Sequence, residues 1–263
     1  LQSPNLQTPG QAFILNANTT YPLIRSRKKN LFIGAGFNYL NSHTSYLGVN
    51  LFDDAIRSIN VNFLYNFFTP NASFNSLEMH LYQGLNILDA HASPPTLPGG
   101  RTNFSKITGS LSIYQRLFTN NWYVLLWAKG QYSFTQLLSS EKFGFGGAPF
   151  GYGYDPSVIT GDQGYALKVE PQYNCQLKND TAIPNIQIFG FFDTASIWNI
   201  NKSIQPGHQS ATSMGGGLRT LILKSLSLEL IAAKPFNVFV TNNSKNSLRL
   251  LFNILYTGGT IFG

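Results

Sequence analysis

Arg57-Ser-Ile-Asn-Val-Asn-Phe-Leu-Tyr-Asn-Phe-Phe68 repeats with a period of two. Ile59, Val61, Phe63, Tyr65 and Phe67 alternate with Ser58, Asn60, Asn62, Leu64 and Asn66. Side chains two apart share one face of a β-strand, so this stretch makes one greasy face and one amide-rich face. The same alternation runs through Ile107–Leu117, Tyr165–Cys175 and Ser247–Tyr256. It recurs more noisily in Gln11–Leu23, Leu31–Leu40, Tyr46–Phe52, Ser73–Leu85, Trp122–Phe134, Ile186–Trp198, Ala211–Leu223 and Leu226–Phe236. No segment carries an apolar stripe at helical spacing. About twelve strands result, many of roughly ten residues, the length of a tilted membrane strand and about twice that of a common sandwich strand.

Composition narrows the fold class. Of the 263 residues, 43% are hydrophobic and only 11% are charged, against about 25% charged in soluble domains. Yet the mean hydropathy is only −0.06, because the polar residues are largely Asn, Ser, Thr, Gln and Gly. Few charges without high hydropathy suits strands with lipid on one face and water on the other. The fold expected is all-β, an antiparallel transmembrane β-barrel occupying residues 1–263. Short links such as Thr119–Asn121 and Lys224–Ser225 alternate with long ones such as Ile87–Lys106 and Ile200–Ser210, as in an outer-membrane meander. On one face of the Trp122 strand, Trp122 and Tyr132 bracket Val124, Leu126, Ala128 and Gly130. That is an apolar band closed by aromatics at both ends, about 25 Å tall after tilt. Pro171 sits awkwardly inside a strand, where it removes a ladder donor; a bulge or a barrel end is expected there.

Other classes find little support. The longest apolar run, Tyr123–Ala128, is far short of the roughly 20 residues of a spanning helix. No secretory signal is visible, so a leader is expected upstream of Leu1. The lone Cys175 leaves no intramolecular disulfide and no cysteine-based zinc site. A net charge of +7 raises nucleic acid as a partner, but the basic residues are scattered, apart from Arg25, Arg27, Lys28 and Lys29 in an expected solvated turn. The four histidines, His43, His80, His91 and His208, show no metal-ligand spacing. Only His80, beside Glu78 and Tyr82, lies on a clear strand. Nothing points to an enzyme or a cofactor.

The specific signal is a long glycine-rich link. It reads Phe143-Gly-Phe-Gly-Gly147, then Phe150-Gly-Tyr-Gly-Tyr-Asp-Pro-Ser157, then Gly161-Asp-Gln-Gly164. Long structured links in compact proteins are usually functional, and no Gly-Lys-Ser/Thr follows to make it a phosphate cradle. Together with Tyr21-Pro-Leu-Ile-Arg-Ser-Arg-Lys-Lys-Asn30, Leu51-Phe-Asp-Asp54 and Phe191-Phe-Asp-Thr-Ala195, it resembles the two-partner secretion translocators. These are the TpsB proteins of the haemolysin secretion/activation type (ShlB/FhaC/HecB).

The resemblance implies a barrel of about sixteen strands in the outer membrane of a Gram-negative bacterium, preceded by periplasmic POTRA domains. Residues 1–263 would be its last twelve strands, with a closed barrel of about twelve strands as the alternative. It implies a pore that exports a large partner exoprotein in extended form, and a protein inserted among lipids by the barrel-assembly machinery. A barrel-assembly protein or a passive porin-like barrel is the competing reading. It also implies that the link folds into the lumen, placing Phe143, Gly146, Gly147, Phe150, Gly151, Tyr152, Gly153, Tyr154, Asp155, Gly161, Asp162 and Gly164 there, against a wall carrying Phe191 and Asp193. The family has an arginine where this sequence has Tyr152. A tyrosine cannot neutralise a carboxylate, so Asp193 is expected to pair with a lumenal cation, Arg219 or Lys168; Glu170 is the further candidate lumenal charge.

Overall fold

A computed structural model describes residues 10–47, 49–69, 73–117, 121–177, 185–222, 225–237 and 247–257. Its strands in chain order are β1 (Gly10–Arg25), β2 (Lys29–Tyr46), β3 (Val49–Thr69), β4 (Ser73–Gly84), β5 (His91–Ala92), β6 (Ser105–Arg116) and β7 (Trp122–Ser133). There follow β8 (Phe143–Phe145), β9 (Ile159–Gly161), β10 (Gln163–Gln176), β11 (Asn185–Trp198), β12 (His208–Ile222), β13 (Leu226–Pro235) and β14 (Arg249–Tyr256). Eleven of these form one antiparallel meander, in the order β1-β2-β3-β4-β6-β7-β10-β11-β12-β13-β14, with β5 added to β3 and with β8 and β9 forming a separate ribbon. Parts of the short links, 118–120 and 223–224, lie outside the described residues.

Exposure is inverted relative to a water-soluble protein. On β10, Tyr165, Leu167 and Val169 are 42–44% exposed, whereas Lys168 and Glu170 between them are 3% and 0% exposed. On β7, Trp122, Leu126 and Tyr132 face out. Burying ions costs several kcal/mol each unless they are paired, and exposing rows of Leu, Val, Ile and Phe to water is unfavourable. Both faces are satisfied when hydrocarbon lies outside and a polar lumen inside. Aromatic girdles close the outer face: Tyr65, Phe67, Trp122 and Tyr173 stand at the short-turn end, with Trp122 and Tyr173 4.9 Å apart. Tyr132, Tyr165 and Trp198 stand at the long-loop end, Tyr165 and Trp198 5.9 Å apart.

Three expectations change. Tyr46–Phe52 is not a strand of its own but the tip of one hairpin, since Tyr46 pairs with Val49 and the ladder continues down to Lys29 and Phe67. Alternation carries on from one arm into the next, so periodicity alone does not mark the reversal. Closure at about twelve strands is also not what the structure shows, because β1 and β14 are not paired with each other among the described residues. Pro171 lies neither at a bulge nor at an end. The β10–β11 register is the same at Val169–Phe192 and at Gln172–Phe189, on either side of it. Its ring faces outward opposite Gly190, where a β-carbon would stand 4.0 Å from the proline Cγ.

Candidate functional site: a loop seated on the lumenal wall

The link between β7 and β10 leaves and rejoins the wall as the β8–β9 ribbon, Phe143 opposite Gly161 and Phe145 opposite Ile159. Its tip is a compact knot. Gly147 donates to the carbonyls of Gly151 (3.0 Å) and Tyr154 (3.2 Å), and Tyr154 donates back to Gly151 (2.9 Å). Gly151 has φ +89°, a conformation that side chains disfavour. Phe143, Phe145, Phe150, Tyr154 and Ile159 pack on Ala166, Ala195, Ile197 and Ala211 from the inner faces of β10, β11 and β12. Small wall residues receive large loop residues, and the loop fills that part of the lumen.

Asp193 receives the tip. It is fully buried; its Oδ2 accepts from the Gly151 N–H at 2.9 Å and its Oδ1 from the Ser213 hydroxyl at 2.5 Å. Ser213 Oγ in turn accepts from the Gly153 N–H at 3.4 Å. Gly153 lies so close to the wall that a β-carbon there would stand 2.9 Å from Ser213 Cβ and 2.8 Å from Pro235 N. Tyr154 reaches past Gly153 and donates to the Thr212 carbonyl at 2.7 Å.

The expected ion pair of Asp193 with Arg219 or Lys168 does not form. Lys168 stands directly opposite Asp193 in the β10–β11 register, but its ammonium lies 2.8 Å from Glu170. Arg219 pairs with Glu170 and Glu229, each at 2.5 Å. It lies six residues along β12 from Ser213, the partner of Asp193, or about 20 Å. The cations are already engaged, and two hydrogen bonds satisfy the carboxylate instead.

Tyr152 packs its ring on Phe191, with centroids 5.2 Å apart. Burial, and after it the Glu229 carboxylate, push its phenol up to about 12, so it stays uncharged. Lys168 Nζ lies 4.5 Å from the Tyr152 ring centre and 5.3 Å from that of Phe191, a cation–π arrangement, and donates to the Pro149 carbonyl at 3.4 Å. Lys129 of β7 repeats the pattern: it donates to the Gly144 carbonyl at 2.9 Å and lies 4.9 and 5.0 Å from the rings of Phe143 and Phe150. Positive charge thus comes to the loop from the wall. At the far side Asp155, largely exposed, meets Arg249 at 2.8 Å.

Asp162 does a separate job. Fully buried, it accepts from the backbone N–H groups of Leu137 (2.9 Å) and Ile200 (2.8 Å) and lies 3.4 Å from Lys142 Nζ. Lys142 also donates to Asn199 and Gln205 at 2.7 and 2.6 Å. One carboxylate thereby staples the two ends of the β7–β10 link and the β11–β12 loop together over the mouth. Asp162→Ala leaves the Leu137 and Ile200 N–H groups without their acceptor, at about 1–3 kcal/mol for the buried Leu137 N–H. We expect trypsin to cut at Lys142 about tenfold faster in this variant while the barrel inserts normally. An unchanged cleavage rate would remove Asp162 from this role.

Gly146 and Gly147 lie in the knot, and Gly164 lies under Phe143 at the start of β10. Sequence reasoning missed Ser213, Lys129 and Lys142. Only the register of β11 on β12 reveals Ser213, as the residue opposite Asp193.

Outward apolar rows, a polar inner face and aromatic girdles define the class, a transmembrane β-barrel protein. Residues 2–220 match the family model described as haemolysin secretion/activation protein ShlB/FhaC/HecB, and the chain belongs to that family, a secretion family rather than an enzyme family. Among solved structures, CdiB from Escherichia coli is similar with a TM-score of 0.77 at 17% identity, over 95% of this chain and 48% of that one. CdiB from Acinetobacter baumannii gives 0.74 at 17% identity, over 94% and 42%. BamA from Haemophilus ducreyi lacking POTRA domains 1-3 gives 0.64 at 12% identity, over 94% and 55%. The chain therefore spans about half the length of the CdiB chains it matches. No curated protein matches significantly in sequence.

Proposed function

We propose that this barrel exports a large exoprotein of the haemolysin or adhesin class across the outer membrane in extended form. The observation that carries the reading is the seated loop: a glycine-rich knot whose backbone N–H bonds to a buried wall carboxylate, inside a member of a secretion family. The rest of the wall suits the task. Asn16, Asn18, Asn38, Ser58, Asn60 and Asn62 share the inner face of β1 to β3 by register, offering amides and hydroxyls to a passing chain without a greasy trap. Insertion among outer-membrane lipids by the barrel-assembly machinery belongs to the same reading.

The test is to express the full-length protein with an exoprotein encoded beside it and to measure that exoprotein in the medium. Export that requires the barrel is expected. Normal amounts outside without it would end the proposal, and a loss of other barrels on depletion would instead favour a barrel-assembly role.

A further inference from the structure

The described acids of this molecule are sorted by end. Among the described residues, Asp53, Asp54, Asp89, Glu141, Asp155 and Asp162 lie toward the long loops, and Glu78, Glu170, Asp193 and Glu229 line the inner wall. No described acid lies at the short-turn end. That end carries Arg25, Arg27, Lys28 and Lys29, all exposed and none in an ion pair among the described residues. The turn is built rather than loose. The Ser26 N–H donates to the Lys29 carbonyl at 3.1 Å, and the Phe68 N–H to the Lys28 carbonyl at 2.8 Å. The Ser26 hydroxyl donates to the Lys29 carbonyl at 2.7 Å, and its N–H also reaches Asn30 Oδ1 at 3.1 Å.

Its place relative to the bilayer follows from register. Lys29 pairs with Phe67, Leu31 with Tyr65 and Ile33 with Phe63, so Lys29 ends an outward row immediately past the apolar band. Tyr65 and Phe67 stack beside it with centroids 5.2 Å apart and mark headgroup depth. Short turns lie on the periplasmic side, so the four cations sit at the inner-leaflet headgroups, and long basic side chains there extend toward phosphate while their stems cover apolar surface. Clustered Lys and Arg at a membrane edge bind acidic lipid.

We propose that the β1–β2 turn is a binding surface for the phosphate headgroups of anionic phospholipid in the periplasmic leaflet. The test is lipid retention by the full-length protein after detergent exchange, counted by native mass spectrometry, with phosphatidylglycerol as probe and phosphatidylcholine as the uncharged control. Wild type is expected to keep phosphatidylglycerol selectively. The variant with Arg25→Gln, Arg27→Gln, Lys28→Gln and Lys29→Gln should keep about tenfold less, and added salt should weaken wild-type retention. Folding of the variant is checked by heat-modifiable gel mobility, and Lys29→Gln alone gives a milder version if the fourfold variant folds poorly. Equal retention in variant and wild type, equal retention of the two lipids, or displacement by matched inorganic phosphate would overturn the proposal. So would a loss of export with lipid retention unchanged, which would give the turn to an acidic polypeptide instead.

Discussion

Asp193→Ala is expected to lower exoprotein export at least about tenfold while the barrel still inserts. The alanine leaves the Gly151 N–H and the Ser213 hydroxyl without their acceptor in a site closed to water. Each such loss costs about 1–3 kcal/mol, and about 1.4 kcal/mol is already tenfold in an equilibrium, so the seated loop would be depopulated by tenfold or more. Insertion is spared because the β10, β11 and β12 ladders do not use this side chain. Two readouts separate the steps: export of the partner, and protease cleavage within 146–158 in folded protein. Asp193→Asn, which keeps one acceptor oxygen, should fall between wild type and alanine. Normal export with a protected loop in Asp193→Ala would show that the carboxylate is only a wall residue.

Gly215→Val should abolish folded barrel altogether. A β-carbon at 215 would stand 2.1 Å from the Ala232 carbonyl oxygen and 2.7 Å from Phe191 Cζ. Gly217 repeats the geometry, with the Leu230 carbonyl at 2.1 Å and Phe189 Cζ at 2.7 Å. The two phenyl rings lie over the two glycines, each ring directly across from its glycine in the register. Overpacking into backbone cannot be relieved by a rotamer change, so the cost exceeds the usual 1–3 kcal/mol of a crowded core. Gly190→Ala is the control: its nearest neighbours, the Gly215 carbonyl and Pro171 Cγ, are 3.7 and 4.0 Å away, and assembly should be unchanged. The heat-modifiable band on gels reads both, and wild-type yields of folded Gly215→Val would refute the account.

Much of the fold was legible because a lipid-facing wall writes itself into the chain at single-residue resolution. Phe63, Leu126 and Leu250 are outward and exposed, as period-two reading requires. The loop was legible through its glycines and its resemblance, and Asp193 through the Phe191-Phe-Asp-Thr-Ala195 stretch. What could not be read was pairing across strands. Opposite charges at Asp193, Lys168 and Arg219 suggest an ion pair, but Glu170 stands two residues from Lys168 on the same face and competes for both cations. Ser213 carries no signal until its strand is set beside β11. Lys129 resembles any wall residue until the carbonyl of Gly144 arrives from a segment folded back into the barrel. The Tyr46–Phe52 error has the same root, since alternation reports faces and not where the backbone reverses.

The β2–β3 hairpin has 18 and 21 residues in its arms, against the roughly ten that cross the apolar band. About eight to ten residues of each arm therefore stand clear of the bilayer, a mast of roughly 25 Å. Arg57 at its root is fully buried, stacked 3.5 Å from the Tyr39 ring centre and donating to the Leu88 carbonyl at 3.1 Å, which braces the mast against the neighbouring loop. Leu47 and Val49 crown it, 76% and 65% exposed. This greasy finial is the part of the hairpin that stands farthest from the bilayer, two apolar side chains offered to whatever approaches from outside.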